Sequence, residues 1–343
     1  VIKVKGIMNM KRKIQRLGIE VSAMGLGCWA IGGPFMMDGR PDGWGNMDDA
    51  ESIRAIHRAL DLGVNFFDTA DAYGTGHSER VLAKALAGRR DHVLIATKFG
   101  FTYNEAKKEL TGTNTSPEYI RWACEQSLTR LNTDYIDLYQ LHCGATPEEV
   151  EAILDTLDKL VSEGKIGAYG WSTDDATDAA LFAARPNCVA VQHLLNVFSD
   201  NPEMISLCES GNLASINRTP LAFGFLSGKF TADTIISKDD VRGAGHEWVD
   251  YFEDGRPKSS FLDMLDNVRE VLTGDGRTLV QGALGWLWAR SENTIPIPGF
   301  KTVKQVEENA KAMQYGPLSK SQVEEINVLI RAQVKYRKEG QLK

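Results

Sequence analysis

Phe66-Phe67-Asp68-Thr69-Ala70-Asp71-Ala72-Tyr73-Gly74 is an apolar, strand-like run that ends in an acid and, five residues later, a tyrosine. The same passage from burial to chemistry recurs. Val93-Leu94-Ile95-Ala96-Thr97 runs into Lys98, and Ile136-Asp137-Leu138-Tyr139-Gln140-Leu141 runs into His142. Successive strands thus each deliver one polar group at their carboxyl ends, and in a parallel barrel those ends converge on one face.

Working outward, short apolar runs alternate with segments of helical periodicity almost from end to end, the pattern of repeated βα units. Eight strand candidates follow: Met24 to Cys28, Val64 to Asp68, Val93 to Lys98, Ile136 to His142, Ile166 to Trp171, Val189 to Leu194, Leu213 to Asn217 and Thr294 to Pro298. An earlier pair, Lys13 to Arg16 and Glu20 to Ala23 around Leu17-Gly18, reads as a hairpin placed to close the bottom of a barrel. Helix starts are marked by Asp48 or Asp49, by Ser116-Pro117-Glu118, and by Thr146-Pro147-Glu148-Glu149, a Thr N-cap with an N1 proline and an N3 glutamate. Gly164 is placed as the residue that ends the last of these helices.

The expected fold is therefore a single α/β domain over 1–343, a (β/α)8 TIM barrel with an N-terminal β-hairpin. Residues 1–12 are expected to be a disordered extension, and 220–261, rich in Gly, Asp and Lys, a long active-site loop. Trp248, Tyr251 and Phe252 in that loop either cover a ligand or pack on a neighbouring helix. Trp44 is read as a pocket wall or as loop packing.

Composition narrows the function. With 343 residues, 43% hydrophobic and 25% charged, the chain is long enough for one large core. A formal net charge of −7 supplies no basic footprint for nucleic acid. Five scattered cysteines without CxxC spacing point to neither disulfides nor a zinc knuckle, and to a reducing cytoplasm. No sustained apolar segment near the start reads as a signal peptide or membrane anchor. The six histidines show no HxH or HExxH spacing, which disfavours a metal hydrolase; His57 and His92 read as surface residues. Asp68 and Asp71 leave the same strand end, so they cannot flank a glycosidic bond as a carboxylate pair.

Asp68, Tyr73, Lys98 and His142 are the residues expected to meet. A phenol with a pKa near 10 is a poor acid at neutral pH. Lys98 would stabilise its phenolate, Asp68 would keep Lys98 charged and oriented, and His142 would bond the substrate oxygen or relay a proton. Such a group suits protonation of a carbonyl oxygen while hydride arrives at carbon. Any dinucleotide has to bind without a Rossmann fingerprint, because Gly25-Leu26-Gly27-Cys28-Trp29 carries only a partial GxG.

At this point the sequence resembles the aldo-keto reductase superfamily from about Lys13 to Gln314. The carrying motifs are FFDTADAYG, ATKFG, DYIDLYQLH, Ala168-Tyr169-Gly170-Trp171-Ser172, TPLAFGFLSGKF and IPIPGFKTVKQVEENAKA. The resemblance implies a metal-free NADPH-dependent carbonyl reductase barrel acting on a small carbonyl substrate, with Tyr73 as general acid beside Asp68, Lys98 and His142. It also implies a cofactor site. Gly27, Cys28 and Trp29, at the end of the first strand, would line it, and Ser172, with Thr173, and Gln192 would meet the nicotinamide carboxamide. Pro220, Leu221, Gly224, Leu226, Gly228 and Lys229 would wrap the pyrophosphate. Gly299, Phe300 and Lys301 would take the 2'-phosphate, and Glu308 and Asn309 would lie near the adenine. Ser172 is alternatively an N-cap.

Two positions depart from the family pattern. Arg218 stands where many members stack a tyrosine on the nicotinamide, and it could instead meet the pyrophosphate or an anionic substrate. Gln305 stands where an arginine often holds the 2'-phosphate, and Thr302-x-x-Gln305 is itself a capping box. NADP(H) is thus the expected cofactor, with NAD(H) left open. The competing expectation is a cofactor-binding, redox-sensing regulatory subunit with little catalysis, as some members of this superfamily are for potassium channels.

Overall fold

The computed structural model describes the backbone of residues 10–340 and the side chains of residues 10–332. Eight strands form one parallel sheet: β3 (Leu26–Gly27), β4 (Phe66–Asp68), β5 (Leu94–Phe99), β8 (Ile136–Leu141), β9 (Ile166–Ser172), β10 (Cys188–Leu194), β11 (Ala214–Arg218) and β12 (Thr294–Pro296). The strands β6 (Phe101–Asn104) and β7 (Glu109–Thr113) form an antiparallel hairpin outside it. The sheet closes on itself. Gly27 bridges Gly299 in parallel, and the amides of Gly25 and Gly27 donate to the carbonyls of Pro296 and Pro298 at 3.0 and 3.1 Å. All eight expected barrel strands are present, within a few residues of their expected limits.

Side-chain parity explains what fills the barrel. Alternate residues face inward, so Phe66, Leu94, Ala96, Leu138, Ala168, Ala190, Ala214, Ile216, Ile295 and Ile297 form one interior apolar cluster. Ile14 and Val21 join that cluster from an N-terminal hairpin, β1 (Lys11–Ile14) paired with β2 (Ile19–Ser22), which therefore seals the bottom. The outward parity (Ile95, Phe99, Tyr139, Val191) packs against the helices in a second, larger cluster.

The expected extension needs one correction. Residues 1–9 lie outside the described residues, but Lys11 and Arg12 belong to β1, and Arg12 is buried. Its guanidinium donates to the carbonyls of Thr294 and Trp288 and to Glu292, so strand pairing and hydrogen bonds hold the end of the segment expected to be disordered.

The α-helices of the described residues are α1 (Asp49–Asp61), α2 (His77–Ala85), α3 (Pro117–Leu131), α4 (Pro147–Ser162), α5 (Ala176–Ala183), α6 (Pro202–Gly211), α7 (Ser259–Leu272), α8 (Leu279–Arg290), α9 (Val303–Tyr315) and α10 (Lys320–Gly340). Their caps are chemical. Asp48, not Asp49, caps α1, the Thr146–Glu149 box starts α4, and Gly164 takes a positive φ of 73° just past its end. His57 is half-buried with Nε2 2.9 Å from the Ala85 carbonyl, rather than a free surface residue. No helix among the described residues is long and apolar enough to cross a membrane.

Excursions after the strands roof the mouth. Two-residue strands at Met36–Met37 and Arg40–Pro41 join the β6–β7 hairpin in a small sheet. Segment 220–261 meets them where Trp44 bridges Asp240 and the Val241 amide donates to the Gly43 carbonyl at 2.8 Å. Within it, Tyr251 and Phe252 pack into an aromatic cluster with Phe225, while Trp248 is 45% exposed and lines the cavity below.

Candidate active site

The inward parity that supplies apolar layers lower down supplies a polar layer at the carboxyl ends. Phe66 is followed two residues on by Asp68, Ala96 by Lys98, Leu138 by Gln140, Ala190 by Gln192 and Ile216 by Arg218. Asp68, Lys98, Gln140 and Gln192 are each at most 1% exposed.

Lys98 is the hub of this layer. Its Nζ donates to Asp68 Oδ1 at 2.5 Å, to the Thr69 carbonyl at 2.8 Å and to Tyr73 Oη at 3.3 Å, which uses the three donors of an ammonium. The other Asp68 oxygen, Oδ2, accepts from Gln192 Nε2 at 2.7 Å and Gln140 Nε2 at 3.2 Å. His142 stands edge-on to the Tyr73 ring, with centroids 5.7 Å apart, and its Nδ1 is buried with no hydrogen-bond partner among the described residues. The four residues expected to converge do so.

Burial alone would lower the Lys98 pKa, but Asp68 and Tyr73 outweigh it and hold the ammonium above its ordinary value. On Tyr73 burial and the ammonium pull in opposite directions. Burial raises its pKa, and Lys98 opposes that rise without reversing it, so the phenol stays fully protonated at neutral pH. Burial, with Lys98 and Arg218 adding to it, pushes His142 well below the usual imidazole range. It is a neutral imidazole.

These groups open into a cavity of about 830 Å³. Of the expected residues, Gly27, Trp29, Asp68, Tyr73, His142, Ser172, Gln192, Arg218, Pro220, Leu221, Gly224, Lys229, Gly299, Phe300, Lys301, Gln305, Glu308 and Asn309 line it. Lys98 lies directly behind Tyr73. Cys28, Thr173, Leu226 and Gly228 do not line it. Cys28 and Leu226 are fully buried, Thr173 accepts the Asp175 amide through Oγ1, and Gly228 packs against Leu279 where a Cβ would come within 2.6 Å. Ser172 is no N-cap, since Asp175 caps α5.

Part of the cavity wall is aromatic. Trp29 stacks on Tyr73 at 6.0 Å and meets Trp44 and Trp248 at 5.4 and 6.1 Å, with Phe35, Phe101 and Leu110 in the same lining. Lys229, Arg242 and Lys301 bring cations to it: Arg242 lies 4.7 Å over the Trp44 ring and pairs with Asp240 at 2.6 Å, Lys301 donates to the Trp44 carbonyl, and burial together with Arg242 and Lys301 depresses Lys229 to about 8. A Cβ on Gly224 would sit 3.4 Å from Lys229 Nζ and 3.7 Å from Arg242 Nη1, so this glycine leaves room at the cations. Clustered cations of this kind fit an anionic ligand such as a phosphate.

The two departures resolve differently. Arg218 ion-pairs with Asp174, whose Oδ1 accepts the Leu194 amide at 2.6 Å. Gln305 Oε1 accepts the Lys301 amide at 2.7 Å, while Thr302 Oγ1 accepts the Gln305 amide at 3.3 Å, so this glutamine serves the start of α9. Sequence reasoning passed over Gln140 and Arg242. Strand parity, applied two residues on from Leu138 in β8, is the signal for Gln140; Arg242 sits in an aperiodic loop that carries none.

Asp68 has its charge taken up by Lys98, and Asp71 is wholly buried with neither oxygen hydrogen-bonded among the described residues, so they form no catalytic carboxylate pair. Among those residues no cluster of His, Cys, Asp and Glu could hold a metal.

Comparison with known proteins agrees with this geometry. The chain is 32% identical over 318 residues to the aldo-keto reductase yakc [NADP(+)] of Schizosaccharomyces pombe, covering 89% of this chain and 87% of the relative. It is 27% identical over 316 residues to the oxidoreductase YqkF of Bacillus subtilis, covering 91% and 94%. Among solved structures, the glycerol dehydrogenase AKR11B4 of Gluconobacter oxydans superposes with a TM-score of 0.80 at 27% identity over 95% of this chain and 97% of its own. The holo form of the aldo-keto reductase AKR11C1 of Bacillus halodurans does so with 0.75 at 28% identity over 93% and 95%. Residues 23–331 match the sequence model of the aldo/keto reductase family, and the chain belongs to that family of oxidoreductases.

Proposed function

We propose that the protein reduces an aldehyde, ketone or sugar-like carbonyl to an alcohol with NADP(H), Tyr73 acting as general acid. The observation that carries this is the position of Lys98 Nζ, shared between Asp68 Oδ1 at 2.5 Å and Tyr73 Oη at 3.3 Å. A buried phenol has little other use for an ammonium it cannot neutralise.

The cations of the cavity wall fit the phosphates of the dinucleotide. Lys229, Arg242 and Lys301 would hold them, Gly224 and Gly299 allow close backbone approach, and Glu308 and Asn309 line the same cavity. The NADP(+) in the name of the yeast relative supports NADP(H) over NAD(H). When bound, the nicotinamide supplies the hydride that adds to the carbonyl carbon.

The rest belongs to this chain. Tyr73 presents its proton to the carbonyl oxygen, and as negative charge develops on the phenol oxygen, Lys98 stabilises it. Asp68 keeps Lys98 charged and pointed, and Gln140 and Gln192 keep Asp68 in place. Neutral His142, with Nδ1 buried, has its other ring nitrogen for the carbonyl oxygen or for returning a proton to Tyr73. The aromatic wall excludes water from the developing charge.

Replacing Tyr73 by Phe tests the reading. NADPH consumption with an aldehyde should fall by orders of magnitude while NADPH affinity stays nearly unchanged; undiminished turnover would remove Tyr73 from the mechanism. A protein that binds NADPH tightly yet reduces none of a panel of aldehydes, ketones and sugars would instead be a redox-sensing regulatory subunit.

A further inference from the structure

A second buried ion pair lies behind the Tyr73 turn. Arg130, near the end of α3, is 8% exposed, and its Nε donates to Glu79 Oε2 at 2.5 Å. Glu79 is fully buried in the first turn of α2, and its other oxygen accepts from Thr97 Oγ1 at 2.6 Å, on the residue that precedes Lys98 in β5. The remaining arms of the guanidinium donate from Nη1 to Tyr103 Oη at 2.8 Å and from Nη2 to Ser127 Oγ at 3.2 Å.

Two of these partners, Glu79 and Tyr103, lead to the active site. Tyr103 belongs to the β6–β7 hairpin, whose Phe101 lines the cavity and meets the His142 ring edge-on at 5.2 Å. Tyr119, also on α3, donates to the Phe101 carbonyl at 2.5 Å, so one helix holds the hairpin at two points. The turn bearing Tyr73 is gripped from both sides. A Cβ on Gly74 would lie 1.9 Å from the Gly32 carbonyl oxygen, and one on Gly76, at φ +89°, would lie 2.5 Å from Arg130 Cδ.

We propose that Arg130 is a positioning residue: its one buried guanidinium fixes the Tyr73 turn, the strand carrying Lys98 and the hairpin that walls the substrate cavity against one another. A planar fork carries five donors on three nitrogens and so reaches acceptors spread over different elements, whereas a lysine offers its three donors from a single nitrogen. The device acts on both halves of the chemistry. Through Glu79 it sets the distance between Tyr73 and Lys98, and through Tyr103 it sets the wall that the substrate meets.

This inference rests on Tyr73 being the proton donor, so Tyr73→Phe is assayed alongside as the control. Tyr103→Phe removes only the hairpin arm. Its KM for the carbonyl substrate should rise about five- to tenfold, the worth of one hydrogen bond, while kcat and the NADPH dissociation constant stay within about twofold. Arg130→Lys keeps a charge for Glu79 but loses the fork, and kcat should fall about tenfold, with Arg130→Met lower still. An unchanged KM in Tyr103→Phe overturns the proposal, as does a folded Arg130→Lys with wild-type kcat. NADPH affinity and thermal midpoint falling together with KM in Tyr103→Phe would mark a merely structural role and also overturn it. If Arg130→Lys does not fold, Tyr103→Phe alone decides. Full turnover in Tyr73→Phe, by contrast, would sink the reading on which the proposal stands.

Discussion

Gln192 Nε2 stands 2.7 Å from Asp68 Oδ2, on the carboxylate oxygen that Lys98 leaves free. Family resemblance sends this glutamine to a nicotinamide carboxamide, but its nitrogen is already engaged. Only its carbonyl end is left for a ligand, beyond a 3.5 Å contact between its nitrogen and Gln140 Oε1. Gln192→Leu would leave Asp68 Oδ2 with Gln140 alone. A lost hydrogen bond to a buried charge costs about 1.5–3 kcal/mol, so the urea unfolding midpoint should drop accordingly. An unchanged midpoint would mean that Gln140 alone satisfies the carboxylate.

Lys98 separates stability from catalysis. Lys98→Met strands the buried Asp68 charge, a loss of about 3–5 kcal/mol for an ion pair broken on one side. It also removes the cation that donates to the Tyr73 hydroxyl, and kcat should fall about 10²–10⁴-fold. Adding Asp68→Asn to Lys98→Met removes the stranded charge. The double variant should regain much of the lost stability and none of the activity, by denaturation and NADPH consumption respectively. Recovery of both would show that Lys98 acts only through folding.

Much of this was legible because strand parity is a strict rule. Once Phe66, Ala96 and Leu138 are read as inward, Asp68, Lys98 and Gln140 are inward too, whatever their chemistry. Loop geometry obeys no such rule. Arg242 reaches the cavity only because Trp44 and Asp240 pair across the mouth, a contact between segments nearly 200 residues apart. The net shift of Tyr73 is hidden for a related reason: a sequence names the nearby charge, and only packing gives the burial that outweighs it. Arg12 likewise reads as a basic tail until β2 pairs with it.

His193 adds an acid-sensitive term to stability. It is fully buried, with Nε2 2.7 Å from Ser215 Oγ and Nδ1 3.2 Å from the Leu194 carbonyl, and burial lowers its pKa from 6.5 to about 4. Between those values the unfolded chain binds a proton that the folded one refuses, so stability rises with pH across this window and is lost as pH falls through it. The swing is about 3 kcal/mol on the same linkage. His193→Gln should flatten the slope of unfolding free energy between pH 6.5 and 4, measured by urea titration at several pH values. An identical slope would place the acid sensitivity elsewhere, His142 being the next group of the same sign.

Lys229 ties cofactor binding to pH on the alkaline side. Burial, then Arg242 and Lys301, lower its pKa to about 8, with Asp240 only partly opposing them. Above that value the free protein holds Lys229 neutral, whereas a bound phosphate favours the ammonium, so binding takes up a proton. NADPH affinity should therefore weaken as pH rises above about 8, the dissociation constant climbing by up to tenfold per pH unit until the bound-state pKa is passed. Lys229→Met should bind more weakly at pH 7 and lose that slope. Fluorescence titration of NADPH into both proteins at several pH values between 7 and 9.5 makes the comparison. A wild-type affinity that stays flat with pH would show that the phosphates do not meet Lys229, and would move the anion site toward Arg242 and Lys301.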